Sequence, residues 1–248
     1  MTLTAKITSK QYTMMKYTIC TMLLVFTISL QGQNRQTSFN ILDLFPFVAG
    51  DTLVYQTGYT ENRNTVLAFG YPKNNENEKV IKVIEGNSGN FQHQSLSINK
   101  GLLLHQVKIN ARDLVVFDQP ILQLPPEINL GQKYSSKQSF RLVRNNEVIE
   151  KGIQEVDIQV LGTDAAMTPH DNYQNCIVMI IKTVRTFDNG EQTSIVTKQW
   201  YAPGVGMVKM AGNKTTNQSN PTKITMLIQD VKSRISMTRS KELATLVP

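Results

Sequence analysis

The stretch that decides the fold is residues 175–201, NCIVMIIKTVRTFDNGEQTSIVTKQWY. Its first half carries Ile177, Val178, Ile180, Ile181 and Val184, a β-branched run that favours an extended, pleated backbone. Apolar residues occupy both phases at its start, as in a strand buried on two faces. Asp188-Asn189-Gly190 then interrupts the run. Asn-Gly tolerates the positive φ angles of a tight primed turn, so the spacing predicts a hairpin with Ile195–Tyr201 returning antiparallel.

Outward from this hairpin the same pattern repeats. Val156, Ile158 and Val160 alternate with polar residues and predict a half-buried strand. Further strands are expected at 52–57, 66–71, 80–85, 91–98, 102–109, 114–117, 134–143, 207–210 and 224–231. Turn-forming residues separate most of them, among them Gly86-Asn87-Ser88-Gly89 and Asn145-Asn146. Ten or more strands without long helical gaps predict an all-β, antiparallel domain. Asn213–Pro221 reads as a polar loop and 236–248 as a loose C-terminal tail. A faint echo links Leu42-Asp43-Leu44-Phe45-Pro46 with Leu122-Gln123-Leu124-Pro125-Pro126, each followed by Gly and then Tyr. It marks a soft internal boundary near residue 120 in a single domain spanning 33–235.

The N-terminus carries an address. Ile19–Leu30 is the long apolar run, twelve residues, too short for a membrane-spanning helix of about 20. Lys6, Lys10 and Lys16 precede it, and no acidic residue occurs before Asp43. A basic segment, a short apolar segment and a small residue near its end describe a secretory signal peptide, here 1–32 with cleavage after Gly32. The expected location is outside the cytoplasm, in the periplasm or extracellular. Cys20 lies inside the apolar run, which argues against lipidation, and Cys176 is left as the one thiol of the mature chain, reading as a small core hydrophobe. The whole chain carries a formal charge of +7; beyond Gly32 there are 23 basic and 19 acidic residues, +4. Those charges are scattered without a basic face interleaved with aromatic residues, so no nucleic-acid partner is expected.

The block Trp200-Tyr201-Ala202-Pro203-Gly204-Val205-Gly206-Met207-Val208-Lys209 resembles the W-Y-A-P-G-V-G-x-V-K signature of an uncharacterised family of secreted bacterial β-proteins, the TapB-like domain of unknown function. Phe45-Pro46 through Tyr55 is similar to that family's F-P-L-x-x-G-N-x-W-x-Y opening, with Leu53 where the family has Trp. Leu124-Pro125-Pro126 through Gly131 and Val160-Leu161-Gly162 also resemble family segments, whereas Tyr173-Gln174-Asn175-Cys176 departs from its Gly-x-Phe. The resemblance implies a strongly curved antiparallel sheet, an open or partial barrel, and an envelope location. It implies no reaction and no cofactor. On physical grounds alone Pro203 ends a strand, Gly204 and Gly206 turn the chain sharply, and Trp200 and Tyr201 point to opposite faces, so the block is read as structural.

Chemistry-bearing residues are sparse. His93, His105 and His170 have no metal-ligand spacing, with Asp113 and Asp118 the nearest acids beyond His105. Glu155 and Asp157 share a strand phase that alternates with Val and Ile, the mark of a solvated surface. No nucleophile elbow, phosphate loop or zinc-protease motif occurs. The chain is therefore expected to be a non-enzyme. The function expected is an exported β-domain holding a lipid or other apolar small molecule on the concave face of its sheet, with Leu102, Leu104, Ile177, Met179 and Ile181 as the apolar ligand face. The alternative is a structural or protein-interaction component of the cell envelope, and a third reading is a hydrolase of envelope polymers. No metal, no cofactor and no integral membrane span are expected.

Overall fold

A computed structural model of the chain describes residues 38–45, 51–57, 64–70, 74–75, 78–85, 90–109, 112–217 and 219–232. The signal-peptide segment 1–32, Pro46–Gly50 of the opening motif and the tail 236–248 lie outside the described residues.

In chain order the elements are β1 (Ser38–Asn40), α1 (Ile41–Leu44), β2 (Thr52–Thr57), β3 (Asn64–Gly70), β4 (Asn74–Asn75), β5 (Glu78–Glu85), β6 (Asn90–Ser97), β7 (Gly101–Lys108) and β8 (Asp113–Leu124). They continue with β9 (Glu127–Asn129), β10 (Lys133–Arg144), β11 (Glu147–Met167), β12 (Asn172–Phe187), β13 (Gln192–Ala202), β14 (Gly206–Thr216) and β15 (Ser219–Lys232). Every ladder is antiparallel. The main sheet runs β3-β2-β15-β14-β13-β12-β11-β10-β8-β7-β6-β5-β4, and β1 pairs separately with β9. The sheet curls until β3 also pairs with β5, from Leu67↔Glu85 to Gly70↔Lys82. Four residue pairs join the two ends, against twelve between β10 and β11, so the architecture is a partial barrel. Bulges at Val160/Gly162, Trp200/Tyr201 and Ile228/Asp230 bend and twist the strands that carry them, which is how long strands accommodate such curvature.

The decisive hairpin forms, with a different turn. Phe187 N–H donates to Glu191 O at 2.8 Å and Gly190 N–H to Phe187 O at 2.9 Å. Gly190 takes φ +86° while Asn189 keeps a negative φ, giving a three-residue loop with a glycine bulge rather than a two-residue primed turn. The primed turn sits instead at Asn145 (φ 52°) and Asn146 (φ 66°), which join β10 to β11. Asn reaches this region at little cost because its side chain is short and polar.

Three other expectations change. Residue 120 lies within β8, which pairs with β7 and β10, so the chain is not interrupted there. The echoed Leu-x-Leu segments take unlike structures, α1 in one case and the end of β8 in the other. They meet nonetheless, because Ile41 N–H donates to Pro126 O at 2.9 Å. The stretch 213–221 belongs to β14 over residues 213–216 and to β15 over residues 219–221, rather than to a loop. Its polar residues sit at the exposed ends of β14 and β15, where ladder pairing to Ser194 and Thr193 outweighs weak strand propensity.

The core lies on the inner face of the sheet. It gathers Val156, Ile158 and Val160 from β11, Ile177 and Met179 from β12, Phe140 and Leu142 from β10, Leu102 and Leu104 from β7 and Ile228 from β15. α1 contributes Ile41 and Leu44, both fully buried, and Asn40 caps it by accepting from Leu42 N–H at 2.9 Å. Gly152 stands opposite Phe140 across the β10–β11 ladder, and the ring covers the space a side chain would take. A methyl at 152 would come within 2.3 Å of Thr186 O and 2.6 Å of the Phe140 ring. Gly152→Ala is therefore expected to destabilise the fold by about 2 kcal/mol through overpacking. Urea unfolding followed by tryptophan fluorescence checks this, and an unchanged midpoint would show that the β11–β12 spacing can relax.

Candidate functional site

Cross-strand partners in a sheet project to the same face, so the register assigns the inner rows directly. One row reads Tyr134–Ile158–Ile181–Thr197–Gly212–Ile224. The next reads Ser136–Val156–Thr183–Ile195–Lys214, and the third Gln138–Gln154–Arg185–Thr193–Thr216. On the other side of the first row come Val160, Met179, Gln199, Met210 and Met226.

Burial changes along these rows. Val160 and Met179 are fully buried, and Tyr201 and Tyr55 nearly so. Ile181, Thr183, Ile195, Met210, Ile224 and Met226 are only half-buried although they belong to the inner face. In the same rows Gln154, Val156 and Ile158 of β11 and Thr197 of β13 are buried, so the inner face is packed along β11 and at the Pro203 end of β13 and half-buried on β12 to β15 toward the Gly190 end. The sealed end is tightly determined. Val205 N–H donates to Ala202 O at 3.1 Å across Pro203-Gly204, and Gly204 takes φ +77°, as a type II turn with Pro first and Gly second requires. Gly204 N–H also donates to Asp43 O at 2.7 Å, which ties α1 to this turn. Phe45 packs edge-on to Tyr201 at 5.6 Å, and Tyr55 O–H donates to Met207 O at 2.6 Å. Burial holds both tyrosines protonated, raising their pKa well beyond the usual range. Along β13, Tyr201 O–H donates to Gln199 Oε1, and Gln199 Nε2 donates to Thr197 Oγ1 at 2.8 Å.

Trp200 and Tyr201 face opposite ways, and both are buried. The bulge between them lets the indole lie on the outer side, with Lys198 and Lys209 ammonium groups each 4.8 Å from its ring. Gly206 pairs with Ala202 to complete the turn. The signature block is thus a corner that fixes the end of the sheet.

The accessible end has a different chemistry. Arg185 Nε and Nη2 donate to Gln154 Oε1 at 3.1 and 2.7 Å, and the guanidinium lies 5.5 Å from the Phe140 ring. Phe140 packs edge-on to Phe187 at 5.3 Å and to Phe117 at 6.4 Å. Among the described residues no carboxylate stands within ion-pair distance of Arg185, and burial lowers its pKa. Sequence reasoning missed Arg185 and Gln154. The signal was available: Arg185 shares the phase of Ile181 and Thr183, whereas Lys182 stands in the other phase. The doubly apolar start of the strand hid which phase faces inward.

Of the five residues expected to form an apolar ligand face, Leu102, Leu104, Ile177 and Met179 are buried in the core. Ile181 alone reaches the accessible part. The histidines are apart from it. His93 and His105 stack loosely at 5.4 Å, with His105 Nε2 2.8 Å from Ser95 Oγ, and His170 Nδ1 lies 2.7 Å from Tyr173 Oη. Asp113 is held by Arg144 through two hydrogen bonds, and Asp118 by Arg141. Among the described residues no group of three His, Cys, Asp or Glu side chains could hold a metal ion. Glu155 pairs with Lys137, and Asp157 accepts from Ser135, both on the outer surface.

No helix among the described residues is long and apolar enough to cross a membrane. Neither a family model nor a curated protein matches the chain. Two solved structures are similar to it. One is a Bacteroides fragilis protein with a YmcC-like fold, assigned to the exported proteins: 14% identity, TM-score 0.43, covering 76% of this chain and 98% of that one. The other is a Parabacteroides distasonis protein assigned to the lipoproteins: 12% identity, TM-score 0.41, with the same coverage.

Cys176 is fully buried, and burial pushes its thiol up to about 11. At pH 8 roughly one thiol in a thousand is then ionised. Ellman's reagent is expected to leave the native protein unmodified at pH 8 and to react with one thiol of the unfolded mature chain. Because the folded pKa exceeds the unfolded one, the stability this thiol contributes is intact below about pH 8.5 and declines as pH rises toward 11. Rapid native labelling at pH 8 would contradict the burial.

Proposed function

We propose that this chain is an exported, non-catalytic binding module of the bacterial cell envelope, taking an apolar, lipid-like molecule into the accessible half of its inner face. Export rests on Lys6, Lys10, Lys16 and the Ile19–Leu30 run, and membership of the TapB-like family on Trp200–Lys209. The observation that carries the binding reading is the half-burial of Ile181, Ile195, Met210, Ile224 and Met226 on the β12–β15 part of an inner face that is packed along β11. Inner-face aliphatic and thioether side chains left in contact with solvent retain a hydrophobic driving force that an apolar guest would satisfy. Met210 and Met226, directly opposite each other, suit such a lining because their side chains adapt to irregular shapes.

A second reading, an interaction component of the envelope, draws on Ile149, Ile153 and Leu161. These are exposed on the outer face of β11 at 45%, 41% and 44%. Single apolar residues on a surface are ordinary, so this reading carries less weight.

A neutral probe tests the first reading without involving charge. N-phenylnaphthylamine is expected to bind the purified protein saturably with enhanced fluorescence. Ile195→Trp, which fills the middle of the accessible rows, is expected to weaken that binding about 10-fold or more. Leu161→Ala on the outer face should leave it unchanged. Absence of saturable binding to the wild type would overturn the proposal.

A further inference from the structure

We infer that Arg185 is the recognition point for an anionic head group, and that the occupant of the accessible inner face is a long-chain carboxylic acid. This deepens the binding reading above and rests on it.

A guanidinium has five N–H donors. Two of them are taken by Gln154 Oε1, and among the described residues no other hydrogen-bond acceptor engages the group. The amide that holds it is neutral, so it fixes the direction of the fork without cancelling its charge. The ring of Phe140 lies 5.5 Å from the guanidinium and is itself packed edge-on by Phe187 and Phe117. The result is a cation held at a defined place and angle, with three donors left over, at the half-buried end of an apolar-lined surface. Glu150, the acid on the same face of β11, stands four residues from Gln154, roughly 13 Å along the strand. Its Oε1 is buried without a hydrogen-bond partner, and among the described residues it forms no ion pair with Arg185.

The lining beyond Arg185 is amphipathic in one direction. Along β12 the inner face passes from Arg185 through Thr183 to Ile181 over roughly 13 Å. Ile195 flanks it on the adjacent β13, and Met210, Ile224 and Met226 extend the half-buried apolar surface across β14 and β15. A molecule with its charge at Arg185 and an alkyl chain laid toward Ile181 matches both ends. The head group is matched by a planar monoanion, which a guanidinium binds with two parallel hydrogen bonds. A phosphate would bring a second charge, and the other cation of the inner rows, Lys214, is exposed at the rim and one row away.

Titration calorimetry with palmitate, hexadecanol and hexadecyl phosphate tests this on the protein purified after expression of the full chain. The wild type is expected to bind palmitate at least about 10-fold more tightly than hexadecanol, as a charge-assisted bidentate contact implies. Arg185→Gln should reduce palmitate affinity to the hexadecanol level and leave hexadecanol unchanged. Arg185→Lys, which keeps the charge and loses the fork, should fall between them. Equal affinity of the wild type for palmitate and hexadecanol would overturn the anion assignment while leaving the binding reading intact. Tighter binding of hexadecyl phosphate than of palmitate would overturn the carboxylate. Failure of all three to bind would instead remove the underlying binding reading. Where Arg185→Gln does not fold, the wild-type comparison and Arg185→Lys still decide.

Discussion

A guanidinium on the inner face of a curled sheet must be either neutralised or kept in reach of water. Removing an ion from water costs several kcal/mol, and a hydrogen bond involving a charged group returns about 1.5–3 kcal/mol. Arg185 has Gln154 and the Phe140 ring, and neither carries a negative charge. Gln154 and Phe140 beneath the guanidinium are buried, and the half-burial of Arg185, Thr183, Ile195 and Ile181 keeps the charged side of the row within reach of water. The interior is divided. Toward Pro203 the rows fill with Met179, Val160, Tyr201 and Tyr55. Toward Gly190 the β11 side stays packed with Gln154, Val156 and Ile158, while Ile181, Thr183 and Arg185 of β12 and Ile195 of β13 are half-buried.

The sealed end makes the open end possible. Tyr55 reaches Met207, Gly204 bonds to Asp43, and Phe45 packs on Tyr201, so strands β2, β13 and β14 and the short α1 are locked at one corner. With the corner fixed there, and β3 joined to β5 by four residue pairs, the sheet keeps its curvature without needing side chains to fill its whole interior. The block from Trp200 to Lys209 holds the frame.

Much of this was legible in the sequence. β-Branched runs and two-residue periodicity located the twelve principal strands, because ladder pairing and one-sided burial both leave that mark. The polar stretch at Asn213–Pro221 was misread because its strand character comes from pairing with Ser194 and Thr193, which local composition does not encode. The turn at Asp188-Asn189-Gly190 was placed correctly and typed wrongly, since loop length depends on how Phe187 and Glu191 meet. The inner face was harder. Ile177–Ile181 is apolar in both phases, so the phase that faces inward emerges only where polar residues resume, at Lys182 and Arg185. Apolar character alone led to Leu102, Leu104, Ile177 and Met179, which are the packed residues. The half-exposed ones are set by register across four strands, and no single segment carries that information.

The gradient along the inner face is the claim on which the rest stands, and cysteine accessibility measures it directly. In a Cys176→Ser background, single cysteines at 195 and at 179 would be treated with a small polar maleimide under native conditions. The two positions lie on the same face of adjacent strands, one in the accessible rows and one in the sealed end. Prompt labelling of Ile195→Cys with strong protection of Met179→Cys is the predicted result. Equal protection at both positions would mean that the interior is packed throughout, and would contradict the account.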